Sequence, residues 1–393
     1  MTAEILTVGT EILLGNILNS NAAFLSQELA KIGIAVYTHT SVGDNHKRLA
    51  AALQQAKSRA DVVITTGGLG PTQDDITKPV VAEYLGLKME LHEASNALVP
   101  KGASVLQNDN GSAPGICIEQ DGKTIIMLPG PPHEMQPMFV NFAIPYLKNK
   151  SDRVFVSRTL KIIGSGETAV ESQLRDLIEA QQNPTIAPYA KLGEVHIRLT
   201  ASASDEKAAE AMLAPIAEEI HRRLGEKIYA ENDITLAETI IKLLKNHTLA
   251  VAESCTGGII SSDLTSVAGC SQVLQEGFVT YSNEAKIARL SVDKTLLQTH
   301  GAVSAETAAA MAEGAAKAAN TTIGLSTTGI AGPDGGTPDK PVGTVHIGLY
   351  ISGQGTITAS HVLKGGRNEV RKRAAILALD LLRTTVQHSP AAC

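Results

Sequence analysis

At 393 residues, with 43% hydrophobic and 19% charged side chains, the chain has the makeup of a globular protein of two or three domains. Aromatics make up 3% and Trp is absent, so an aliphatic core is expected and no stacking platform for single-stranded nucleic acid is visible. A formal net charge of −6 argues against a general nucleic-acid or membrane-surface partner.

Glu4 to Gly9 reads as a strand, Ser20 to Lys31 as an amphipathic helix stopped by Gly33, and Ala35 to Thr40 as the next strand. Asp44 is the expected cap of a helix running through Ala60, and Asp61 to Thr66 is a third strand. Thr124 to Leu128 runs into Pro129-Gly130-Pro131-Pro132. Proline continues neither a ladder nor an open helix, so this is a rigid loop, with a helix expected from His133 to about Tyr146. The alternation predicts a doubly wound parallel sheet over residues 1–150, in an α/β protein.

Residues 151–231, opening at Ser151, predict a small α+β module. Its strands are Arg153 to Ile163, Glu194 to Ala203 with period-two alternation, and a further one near Thr185; its helices are Glu167 to Ala180 and one from Asp205 to Arg223, ended by Gly225. Glu231-Asn232-Asp233 reads as a polar linker. Residues 232–393 form a third α/β unit: a helix over Ile234 to Lys245, strands at Thr248 to Ala252, Val273 to Tyr281 and Ile323 to Thr328, and a helix from Ser304 to about Ala319. A hairpin of Gly343 to Ile351 with Thr356 to Leu363 and a last helix over about Asn368 to Gln387 complete it. Met1 leads straight into a strand-like run containing Glu4, so no signal peptide is expected. No apolar stretch reaches the ~20 residues a bilayer requires, so no membrane association is expected. Cys117, Cys255, Cys270 and Cys393 lack metal-site spacing, and a cytoplasmic protein with reduced thiols is expected.

Two glycine-rich turns follow apolar strands, where open α/β sheets bind ligands. The first holds Gly67, Gly68, Gly70, Thr72, Gln73, Asp74 and Asp75. Its exposed N–H groups suit phosphate oxygens, and Asp74 and Asp75 suit a divalent cation bridging to them, with Glu11 and Glu134 on the same sheet edge. Equally, Asp75 serves as a cap for a helix starting near Ile76. The second turn is Glu253-Ser254-Cys255-Thr256-Gly257-Gly258. Ser254 is either a nucleophile, with Lys286 as base and Tyr281 as its aid, or an N-cap with Lys286 merely solvated. Cys255 is a rival nucleophile or a buried filler. Lys364, Arg367, Arg371, Lys372 and Arg373 oppose the dipole of the last helix; they are solvated or they bind phosphate, Arg371 first among them.

These strings resemble the competence/damage-inducible CinA family over nearly the whole chain. The N-terminal resemblance rests on Gly9 to Gly15, Asn19 to Asn21, Gly67 to Asp75, Gly111 to Gly115 and Leu128 to Met135. It implies a molybdopterin-binding-like domain that hydrolyses ADP-ribose to AMP and ribose 5-phosphate, with a divalent metal near Asp74, Asp75, Glu11 and Glu134. The stretch between Leu91 and Pro100 looks shorter than the family's helical insertion. The middle module resembles the family's KH-like domain, without the basic Gly-x-x-Gly clamp of RNA-binding examples, so a structural or dimerisation role is expected.

The C-terminal resemblance rests on Ala252 to Gly258, Tyr281 to Lys286, Gly301 to Ser304, Thr328 to Gly336 and Lys340 to Thr344. It implies an NMN amidohydrolase needing no cofactor, with Ser254 as nucleophile, Lys286 as base and Tyr281 assisting. Glu253, Thr256, Gly257, Thr328, Gly329, Ala331, Gly332 and Arg371 are then expected around the substrate. The family also implies a homodimer. Two rival readings are an N-terminal domain that only binds a pterin or nucleotide, and a competence factor acting through DNA or protein partners.

Overall fold

In the computed structural model, residues 1–72, 74–150 and 153–388 are described; Gln73, Ser151 and Cys393 lie outside them. They group into two compact units, Met1–Ser157 with Thr200–Leu213, and Arg158–Leu199 with the described residues from Ala214 on. No helix among the described residues is long and apolar enough to cross a membrane.

The first unit is built on a six-stranded sheet of β1 (Thr2–Val8), β2 (Ala35–Val42), β3 (Val62–Thr66), β6 (Ser104–Leu106), β7 (Gly115–Gln120) and β8 (Lys123–Leu128), with a separate ribbon of β4 (Met89–His92) and β5 (Ala97–Pro100). The order is β2-β1-β3-β8-β7-β6. The first four strands are parallel, as expected, and β7 and β6 extend the sheet with antiparallel pairs. The segment from Leu91 to Pro100 belongs to the ribbon, with no helix in it. Side-chain alternation sends Ala3, Ile5, Ile64 and Ile126 to one face, against Leu25, Leu29 and Phe139. Leu6, Val8, Val63 and Ile125 face the other way, against Leu49, Leu53 and Val80. Both faces are covered, so the parallel strands read as continuous apolar runs.

Two local expectations change. Asn45, rather than Asp44, caps the helix His46–Arg59, its Oδ1 accepting from Arg48 N at 3.1 Å. Asp44 instead accepts from Thr10 N at 2.9 Å and Thr10 Oγ1 at 2.8 Å. The helix expected to Tyr146 passes through a π segment, Phe139–Ala143, before Ile144–Lys148. The wider turn accommodates Pro145, which has no N–H to give.

In the middle module, β9 (Val154–Ile163), β10 (Thr185–Lys191), β11 (Glu194–Ala203) and β12 (Ile228–Glu231) form a sheet in the order β10-β11-β9-β12. The expected strand at Thr185 is β10, and Glu231, read as linker, ends β12. Further on, β13 (Leu249–Glu253), β14 (Leu274–Val279), β15 (Ile323–Gly329), β16 (Thr344–Ile351) and β17 (Gly355–Val362) assemble in the order β14-β13-β15-β16-β17. β13 lies at the parallel centre, between β14 and β15. Leu249 and Val251 pack with Ile240, Leu264, Val370 and Leu379. Ala250 and Ala252 pack on the opposite face with Leu290, Met311 and Ala315.

The helix Ala305–Ala318 lies on the sheet through alanines, and two strand glycines admit it. A methyl group at Gly324 would run into the Ala312 carbonyl, and one at Gly348 into the Ala308 carbonyl. Gly324→Ala is therefore expected to cost about 1–3 kcal/mol through overpacking. Urea denaturation measures it, and an unchanged midpoint would contradict the close approach.

Candidate active site

β13 ends at the centre of its sheet, so the next residue emerges between two neighbouring strand ends. Ser254 N donates to Thr327 O at 3.0 Å on one side, and Thr280 N donates to Glu253 O at 2.9 Å on the other. The chain then turns through Gly257 and Gly258, at φ 60° and 96°, into the helix Ile259–Thr265. Left-handed φ values of this kind favour glycine.

Glu253 fixes the turn. It is fully buried, and its carboxylate accepts from Gly258 N at 2.9 Å, Ile260 N at 3.1 Å, Ser261 N at 2.9 Å and Ser261 Oγ at 2.7 Å. It thus fills the helix N-terminus, where orphan N–H groups and the dipole favour an anion. The expectation of Glu253 as a substrate contact gives way to this structural role. Ser254 is not an N-cap. The N–H groups of residues 255 to 257 are the turn's donors not committed to Glu253.

Lys286 comes to Ser254 from the other side of the sheet end. Ser282 caps the helix Asn283–Leu290, accepting from Ala285 N at 3.1 Å, and the i,i+4 pair Lys286 and Leu290 is its buried face. Lys286 is 1% exposed and Ser254 8% exposed. The amine Nζ lies 3.2 Å from Ser254 Oγ, 2.8 Å from Thr280 O and 3.2 Å from Tyr281 O. Burial pulls the Lys286 pKa below the usual lysine range. A neutral amine has two N–H donors and one lone pair. With its donors on the two carbonyls, the lone pair is left for the Ser254 hydroxyl proton. Cys255 differs: it is 6% exposed in the apolar core, and burial pushes its thiol up to about 11, so it stays protonated near neutral pH.

The remaining expected residues divide. Tyr281 holds Lys286 through its carbonyl, and its phenol oxygen accepts from Arg367 Nη2 at 3.1 Å. Thr256 and Thr327 share a buried hydroxyl contact of 2.7 Å, and Thr328 Oγ1 donates to Ala302 O at 2.6 Å, so the side chains of Thr256 and Thr328 are spent inside. Arg371 donates to Cys255 O at 3.2 Å and Thr256 O at 2.9 Å, lying against Gly257 as a brace for the turn. Gly329, Ala331 and Gly332 run into the loop after β15; Ala331 is buried in the core, and Gly332 O accepts from Arg367 Nη1 at 2.6 Å. Arg367 belonged to the cation cluster visible in the sequence, but nothing there distinguished it from Arg371.

In the first unit, the Gly67–Thr72 turn is tied to the neighbouring strand end and to the start of the helix that follows. Gly67 N donates to Leu128 O at 3.0 Å, Thr77 Oγ1 to Gly67 O at 2.8 Å, and Thr77 N to Gly68 O at 3.1 Å. Asp75 neither caps a helix nor faces a second acid: its Oδ2 accepts from Thr72 N at 2.9 Å and Thr72 Oγ1 at 2.6 Å, beside Gly70. Asp74 is exposed. Glu134 accepts from Asn108 Nδ2 at 2.7 Å, by Gly111, while Glu11 lines a different cleft. Among the described residues no three His, Cys, Asp or Glu side chains are grouped to hold a metal ion. The four acids therefore do not form a cage for the divalent cation expected of them. The cleft at Glu11 has a volume of about 320 Å³ and is lined in part by Thr7, Asn21, Thr66 and Pro131. Asn21 and Thr66 are 8% and 1% exposed, and Asn21 Oδ1 and Thr66 Oγ1 have no protein partner among the described residues.

Residues 233–386 match the family described as CinA C-terminal domain, 4–149 that described as "Probable molybdopterin binding domain", and 157–230 the damage-inducible protein CinA KH domain. A putative competence-damage inducible protein of Clostridium beijerinckii is 51% identical, with 98% of this chain and 99% of that one covered. A CinA-like protein of Kosmotoga olearia is 49% identical, with 98% of each covered. Among solved structures, the competence/damage inducible protein CihA from Agrobacterium tumefaciens is 40% identical, over 38% of this chain and 92% of that one, at a TM-score of 0.37.

The buried amine carries a stability signature. Unfolded, Lys286 titrates near the ordinary 10.5; folded, it titrates lower. Between these values the unfolded chain binds more protons, so stability rises with pH across that window, and below it the full cost of burying the ammonium is present. Wild type is therefore expected to gain stability relative to Lys286→Met as pH rises from about 7 to about 10, read by urea denaturation. Parallel pH dependences for the two proteins would contradict the buried-amine assignment.

Proposed function

The chain belongs to the CinA family, and from that premise we propose that its C-terminal domain is an amidohydrolase that converts NMN and water to nicotinate mononucleotide and ammonia. The observation that supports this is the contact of 3.2 Å between Ser254 Oγ and Lys286 Nζ inside the fold. Lys286, neutral, takes the Ser254 proton as the oxygen attacks the amide carbon. The oxyanion develops at the nucleophile turn, near the N–H groups of residues 255 to 257, none of which is taken by Glu253. The lysine then returns the proton to the departing nitrogen, ammonia leaves, and an acyl-serine remains. Water, deprotonated by the same amine, adds to the acyl carbon, and the carboxylate product is released as the Ser254 hydroxyl is restored.

A second reading concerns the first unit. The Glu11 cleft, of about 320 Å³ and lined by the polar residues Thr7, Asn19, Asn21 and Thr66, favours a ligand site there, and a nucleotide or pterin is the class we propose for it. Among the described residues its four acids do not gather, so binding rather than cleavage is the activity proposed for this unit. Calorimetric titration with ADP-ribose is expected to show binding that Thr66→Val and Asn21→Leu weaken. Affinity unchanged in both variants would remove this reading, and AMP formation on adding a divalent cation would extend it to catalysis.

For the main reading, ammonia release from NMN is expected to fall by a factor of 10³ or more, an order-of-magnitude figure, in Ser254→Ala and Lys286→Ala, and to persist in Cys255→Ala. Because the base must be neutral, kcat/KM is expected to rise with pH along a limb set by the lowered lysine pKa. Full activity in Ser254→Ala eliminates the serine mechanism.

A further inference from the structure

We propose that Arg367 recognises the anionic phosphate of the substrate at the Ser254–Lys286 site, a specificity role that rests on the nucleotide reading above. The cations near the pair differ in how far their donors are committed. Lys286 is wholly engaged with two carbonyls and Ser254. Lys340 Nζ is bound to His300 O at 2.9 Å and Val303 O at 2.7 Å. Arg371, the expected phosphate ligand, spends Nε and Nη2 on the turn carbonyls of Cys255 and Thr256.

Arg367 is exposed, and it spans from Gly332 O at 2.6 Å to the Tyr281 hydroxyl at 3.1 Å. Tyr281 O is in turn one of the carbonyls that hold the Lys286 amine, at 3.2 Å. A single residue thus links the guanidinium to the catalytic nitrogen, while Gly332 lies on the loop leaving β15, the neighbour of the strand that delivers Ser254. Of five guanidinium N–H donors, two are used, and Nε has no protein partner among the described residues. The remaining donors, with the adjacent Tyr281 O–H, form a fork at the rim suited to phosphate oxygens. The geometry assigns Arg371 to the turn and Arg367 to the ligand.

Kinetics with NMN and with its dephosphorylated nucleoside separate phosphate recognition from a positioning effect. Arg367→Ala is expected to raise KM for NMN on the order of tenfold to a hundredfold, with kcat little changed and the constants for the nucleoside unmoved. Arg367→Lys should recover part of the loss. Equal losses on both substrates, or no change with NMN, would overturn the proposal. Calorimetry with inorganic phosphate on the full chain provides a readout that needs no turnover: binding is expected to weaken in Arg367→Ala and to survive in Ser254→Ala. Phosphate binding identical in wild type and Arg367→Ala defeats this inference alone. Absence of ammonia release from wild type, with phosphate binding still lost in Arg367→Ala, defeats only the amidohydrolase reading.

Discussion

The site depends on the placement of one amine. Lys286 Nζ sits in a pocket of three oxygens: two backbone carbonyls, which accept and cannot donate, and the hydroxyl of Ser254. As an ammonium the group satisfies all three with its three hydrogens. As a neutral amine it keeps both carbonyls and turns its lone pair to the serine. Burial favours the second state, and among the described residues no carboxylate contacts the amine to reverse that preference. The contacts orient the base, while burial lowers its proton affinity.

The rest of the domain serves to hold that geometry. Parallel pairing of β13 with β14 and β15 brings the segment carrying Ser254 and the turn preceding Lys286 to one sheet edge. Glu253 anchors the start of the following helix through three N–H groups, and Arg371 braces the carbonyls of Cys255 and Thr256. An anion and a cation thus grip the nucleophile turn from its donor and acceptor sides, leaving the serine hydroxyl as its reactive group. Burying the Glu253 carboxyl is tolerable here because its two oxygens accept four hydrogen bonds.

Much of this was legible in the sequence. The parallel strands show as apolar runs, the half-buried β11 as strict alternation, and Ser254 and Lys286 stand in strings long enough to single out. The misses have physical causes. Asp44 and Asn45 are adjacent capping residues, and only the fold shows that Thr10 has claimed the first. The ribbon β4–β5 and the pair β6–β7 are short and amid turn-forming residues, where period-two patterning is weak. By position beside a glycine turn, Asp75 reads as a metal ligand and Glu253 as a substrate contact, whereas both are turn anchors. A carboxylate within a few residues of unpaired N–H groups has a local use available first, and that was the readable signal. The division of labour between Arg367 and Arg371 depends on which carbonyls each can reach, and spacing along a helix does not encode that.

The proposed chemistry depends on the protonation state of one nitrogen. Titration of the Lys286 side chain by NMR, with lysine labelled at the ε-carbon and the resonance assigned by comparison with Lys286→Met, reads it directly. A midpoint below the ordinary 10.5 is the predicted result. A midpoint at or above that value would mean the buried group holds its proton through the working range, and the serine would have no base.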